Sequence, residues 1–118
     1  MQMEISVSPD RRFTHCSVSG PLSPDQAKNL FQAFRAGIEE AMPKRLLLDL
    51  LAMTGTFQVA DQFQIGSIST DAFKHFNRVA VVQEPRTNSG FGALVAKNRG
   101  LNIQVFAAQA DALKWLLG

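Results

Sequence analysis

The chain has 118 residues, 46% of them hydrophobic and 19% charged, with a formal net charge of +2. Those values suit one folded domain, since domains commonly run to roughly 100–150 residues, and they exclude a disordered or fibrous chain. The 12 lysines and arginines are dispersed along the chain instead of clustering among aromatics, which argues against a nucleic-acid partner. A single cysteine, Cys16, rules out an internal disulfide and suits a reducing, cytoplasmic setting. No run approaches the ~18 apolar residues of a spanning helix, and the N-terminus lacks a basic-then-apolar leader, so stable membrane insertion is not expected.

Met1 to Val7 alternates apolar and polar residues as a half-buried strand does, Ser8 to Arg11 forms a turn, and Arg12 to Ser19 alternates again; the two runs predict an antiparallel hairpin. Gly20, Pro21 and Leu22 break the pattern. Ser23, Pro24 and Gln26 then supply an N-cap, a first-turn proline and a capping-box partner, and Ala27, Leu30, Phe31, Phe34, Ile38 and Ala41 recur as one helical stripe. Leu46, Leu47 and Leu48, followed by Asp49 and Leu50, predict a strand covered on both faces, because a strand with one wet face would alternate.

After that strand comes a polar loop, Leu51 to Phe57, and a second helix from about Gln58 to Phe76, with Ile65, Ile68, Ala72 and Phe76 on one face. Gly66 weakens this helix, and Val59 and Phe63 lie off the stripe. Arg78 to Val82 (RVAVV) predicts another buried strand. Gln83 to Asn88 is a loop, and a short helix capped by Asn88 or Ser89 ends at Gly100, where a positive φ is cheap. Asn102 to Phe106 predicts the last strand and Ala110 to Leu117 the closing helix. The predicted order is β-β-α-β-α-β-α-β-α: an α/β fold with a mixed, mostly parallel five-stranded sheet and four helices over residues 1–118.

In open α/β sheets ligands and partners meet the crevice beyond the carboxyl ends of the strands, which directs attention to Asp49 and to Thr54, Gly55, Thr56, Phe57 and Gln58 after it. The commoner role for Asp49 is to accept backbone N–H bonds in the following turn. Arg86, Asn88, Ser89 and Gly90 stand where a helix opens, a possible anion site, although the run matches no phosphate-binding motif and plain helix capping explains it better. His15 and Cys16 are adjacent on a strand and face opposite sides, so no metal site is expected, and Cys16 reads as a small buried hydrophobe. Phe31, Phe34, Phe63, Phe73, Phe76 and Phe91 suit core packing better than an apolar-ligand cavity, and the irregular second helix is where exposed apolar surface favours a homodimer.

The segments Leu46 to Leu50 (LLLDL), Arg78 to Val82 (RVAVV), Gly100 to Phe106 (GLNIQVF) and Asp111 to Leu116 (DALKWL) resemble those of SpoIIAA-like proteins of the STAS superfamily, the anti-sigma-factor antagonist group. The resemblance implies regulated protein contacts, and for some relatives of similar topology lipid binding. Superfamily antagonists carry an Asp at the strand end and a phosphorylatable Ser about nine residues later. Asp49 matches the first, but Gln58 stands in the second place, and Thr54 and Thr56 are hydroxyls out of register. The expected function is a non-enzymatic module without cofactor, meeting an unknown protein partner through Asp49 and the loop up to Gln58. A carrier of a small apolar molecule is the alternative, and an enzyme pairing Asp49 with Arg86 a third reading.

Overall fold

The computed structural model describes residues 2–21, 23–54, 59–84 and 96–118, without the side chains of Pro24, Val59, Gln62 and Ile65. Strands β1 (Gln2–Val7) and β2 (Thr14–Pro21) precede helix α1 (Pro24–Gly37). Next come β3 (Arg45–Asp49), a two-residue β4 (Met53–Thr54), α2 (Val59–Phe73) and β5 (Arg78–Val82). Residues 96–98 are helical (α3), and β6 (Ile103–Phe106) and α4 (Gln109–Leu117) complete the order.

The sheet runs β1-β2-β3-β5-β6 with β3 at its centre, and β4 pairs with β2 off this path. Only β1 and β2 pair antiparallel; β2–β3, β3–β5 and β5–β6 are parallel. The hairpin turns through Arg11, whose φ of 58° is unusual for a side-chain-bearing residue. Around it Ser8 Oγ donates to Asp10 at 2.7 Å and accepts from the Arg12 amide at 2.9 Å.

The three leucines of β3 divide between two cores. Leu46 and Leu48 join Cys16, Val18, Val79, Val81 and Ile103 beneath α1 and α2, whereas Leu47, with Ala80 and Val82, meets Ala112 and Leu116 of α4. The first core is aromatic: Phe73 meets Phe34 and Phe31 edge-on, with centroids at 5.0 and 5.5 Å, and Phe34 tilts onto Phe76 at 6.0 Å.

The sequence and the structure differ at four places. Gly20 and Pro21 do not break β2 but end it, with Gly20 at φ 90°, and they pair with Met53 and Thr54, so the sheet has six strands where five are predicted. Helix α1 stops at Gly37, where a Cβ would lie 3.1 Å from Ile5 Cδ1; Ile38 is extended, and Ala41 is exposed instead of extending the stripe. Helix α2 ends at Phe73, three residues short of Phe76, and its inward line is Gly66, Ser69 and Phe73, rotated from the predicted one. Phe63, assigned to core packing, is 48% exposed, and Phe91 lies outside the described residues.

Candidate functional site

At the carboxyl end of β3 the chain leaves its strand for three residues and returns to the same neighbour. The Leu50 amide still donates to Val82 at 2.8 Å; Ala52 O then accepts from Gly20 N at 3.0 Å, and Met53 N donates back to Leu50 O at 3.1 Å before β4 pairs with the end of β2. Asp49 holds this bend, its Oδ1 accepting from the Leu51 amide at 3.0 Å, which is the backbone-capping role its position favours. Met53 is buried, Thr54 is exposed, and Leu51 stands 45% exposed at the tip. An anchored bend therefore presents an apolar side chain beside a hydroxyl.

The surroundings are acidic. Register places Glu4, Ser17 and Asp49 in one row across β1, β2 and β3. Asp25, Asp61 and Asp111 lie in the first turns of α1, α2 and α4, where carboxylates oppose the helix dipoles, and Glu84 follows β5. The opposite end gathers most of the cations: Arg11 and Arg12 before β2, Lys44 and Arg45 at β3, Arg78 opening β5, and Arg35, Lys74, Lys97, Arg99 and Lys114 at or just beyond helix ends. There Arg78 Nη1 donates to Trp115 O and Gly118 O, both at 2.8 Å, and its guanidinium lies 5.7 Å from the Trp115 ring centre, tying the end of α4 to the sheet.

Of the predicted partner residues, Asp49 and Thr54 stand on one bend, while Gly55, Thr56, Phe57 and Gln58 lie outside the described residues. So do Arg86, Asn88, Ser89 and Gly90 of the anion site, and with Arg86 the proposed pairing with Asp49. Cys16 faces the aromatic core, where burial pushes its thiol up to about 12, so it stays protonated and inert. His15 faces the other way, its Nε2 buried and without a hydrogen-bond partner among the described residues. Phe31, Phe34, Phe73 and Phe76 fill their space with one another's rings.

A cleft at the amino ends of β5 and β6 was not anticipated. It measures about 330 Å³ and is lined by Thr70, Lys74, Phe76, Asn77 and residues 99–102. Its trace in the sequence is an Asn immediately before each of the two strands, Asn77 and Asn102, each three residues after a basic side chain, Lys74 and Arg99.

A mostly parallel sheet with an antiparallel leading hairpin, helices on both faces and an anchored bend after the central strand defines an α/β fold. The chain belongs to the SpoIIAA-like family, whose profile matches residues 14–117. It is similar in structure to an anti-sigma factor antagonist from Mycobacterium paratuberculosis, with a TM-score of 0.69 and 18% identity over 99% of this chain and 94% of that one. It is also similar to an uncharacterized protein of the DUF3478 family with a SpoIIAA-like fold from Shewanella loihica PV-4, with a TM-score of 0.53 and 23% identity over 98% and 92%. No curated protein matches it. Among the described residues no helix is long and apolar enough to cross a membrane.

Proposed function

We propose that this protein is a non-enzymatic regulatory module that binds a protein partner through the bend after β3 and the start of α2. The observation that carries this reading is Leu51, a large apolar side chain 45% exposed on a bend whose backbone is fixed by Asp49. An exposed apolar residue on a rigid support loses little conformational freedom when covered, which is what a contact residue needs. Family membership supports the reading, as does the mycobacterial neighbour, described as an anti-sigma factor antagonist. Regulation by phosphate at the serine position of such antagonists is not part of the proposal, since Gln58 occupies it.

The test is affinity capture from the native cell with the wild type and with Leu51→Asp, Thr54→Glu and Phe57→Ala. A partner recovered by the wild type and lost by these variants, while their melting temperatures hold, supports the assignment. Retention of every recovered partner by all three sinks it. Self-association is the second reading, favoured by Phe63 on the outer side of α2. Sedimentation that is concentration-dependent for the wild type and purely monomeric for Phe63→Ser supports it.

A further inference from the structure

We propose that the cleft between the end of α2 and the amino ends of β5 and β6 binds a small organic phosphate, its phosphate held by Arg99 and Lys74 and its apolar body by Phe76 and Leu101. The proposal is independent of the partner surface, which lies at the opposite end of the sheet.

Three features converge on this chemistry. The cleft, at about 330 Å³, is in the range of small-molecule sites, which run to roughly 300–1,000 Å³. Its polar lining holds a guanidinium, an ammonium, the amides of Asn77 and Asn102 and the Thr70 hydroxyl, whose proton goes to Gly66 O at 2.8 Å, with no carboxylate among the described residues of the lining. A phosphate dianion, with three acceptor oxygens, matches such a set, and an arginine fork matches its geometry. Phe76 and Leu101, 7% and 5% exposed, give the cleft an apolar floor that a bare inorganic ion would leave unused.

Lys74 and Arg99 both line the cleft, and the residues their charged groups meet, Asp71 and Phe63, stand outside the lining. Among the described residues the ion pairs are those of Asp71, which lies 3.0 Å from Arg35 and 3.3 Å from Lys74. Lys74 thus shares one carboxylate with a second cation. Arg99 meets no carboxylate among the described residues and lies with its guanidinium 5.7 Å from the Phe63 ring centre, a contact that orients it without neutralising it. Asn102 Nδ2 donates to Asn77 O at 3.2 Å, which fixes one wall. The competing explanation is that Lys74 and Arg99 only balance the dipoles of the helices they follow. That accounts for two cations but not for their sharing one cleft lining with two side-chain amides and two apolar side chains.

The experiment is a calorimetric titration of the full chain with inorganic phosphate and with phenyl phosphate, repeated on Arg99→Gln and on Lys114→Gln, which removes the same charge at the same end of the molecule outside the cleft. The proposal expects phenyl phosphate to bind more tightly than inorganic phosphate. It expects Arg99→Gln to weaken phenyl phosphate roughly tenfold, the scale of one charge-assisted hydrogen bond, and Lys114→Gln to leave it unchanged. Chemical-shift changes at the Asn77 and Asn102 side-chain amides locate the ligand and keep the test valid if Arg99→Gln loses stability. Absence of phenyl phosphate binding, or equal weakening by the two variants, overturns the proposal. Co-sedimentation with vesicles of phosphatidylcholine and phosphatidic acid, in the absence of phenyl phosphate binding, overturns it too, since the basic end then serves a lipid surface and not a small ligand.

Discussion

The two ends of the sheet are built from the same helices and strands yet offer opposite surfaces. At the carboxyl end, helix first turns contribute Asp25, Asp61 and Asp111, and the central strand runs out into a bend with one exposed leucine. At the amino end the strands begin with Arg45 and Arg78, the helices finish near Lys74, Arg99 and Lys114, and a donor-lined cleft opens between them. Because α1 and α2 carry the chain back from the end of one strand to the start of the next, and α4 returns along the sheet from the end of β6, these three helix dipoles point the same way. Placing acids at helix starts and bases at helix ends stabilises each helix separately. The same local preference leaves the amino end richer in cations, although Asp10, Glu39, Glu40 and Asp71 place carboxylates there too.

The comparison breaks most completely if the shared core is opened. Phe34→Ala removes a fully buried ring from between Phe73 and Phe76 and is expected to cost about 3–5 kcal/mol, seen as a large fall in the urea midpoint with both ends lost together. Arg78→Ala acts at the amino end alone: it leaves the carbonyls of Trp115 and Gly118 without their shared donor and is expected to cost about 2 kcal/mol, with faster amide exchange in the last turn of α4. A change confined to the Asp49 bend instead would contradict that assignment.

Asp49→Ala is the corresponding change at the carboxyl end. Losing the acceptor for the Leu51 amide should cost about 1 kcal/mol, and Asp49→Asn, which keeps a side-chain carbonyl, should recover most of it. The smallest effect is expected at the hairpin turn. The Ser8 hydroxyl bonded to Asp10 holds that carboxyl below its ordinary value. Because the folded-state pKa is depressed, the associated stability is present above the usual carboxylate range and is lost as pH falls through the lowered value. Asp10→Asn should therefore flatten the acid limb of the stability profile by lowering its neutral plateau slightly towards the acid value.

How much of this was legible depended on whether a pattern was local. The capping box is, and Ser23 and Gln26 bond each other's amides at 3.2 and 3.0 Å as their spacing predicts. The unbroken Leu46 to Leu48 run placed β3 inside the sheet because each face of that strand meets a different core. The pattern of helix α2 is one residue out of phase with its buried line because that line includes Gly66 and Ser69, small residues that carry no hydrophobic signal. The Ser69 hydroxyl is satisfied by the Gly66 carbonyl at 3.0 Å, so its burial costs little. Strand β4 was invisible for a related reason, since its two residues pair with Gly20 and Pro21, which read as a break. The amino-end cleft draws on segments that are far apart in the chain, Asn77 and Asn102 being 25 residues apart, and only the fold brings them into one lining.

The measurement that bears most directly on the account is hydrogen–deuterium exchange of the protein alone and in complex with the partner recovered from its native cell. Slower exchange at amides 50–54 and in the first turn of α2, with amides 97–102 unchanged, is the predicted result. Protection confined to the amino end, with the Leu51 bend exchanging as fast as in the free protein, contradicts it.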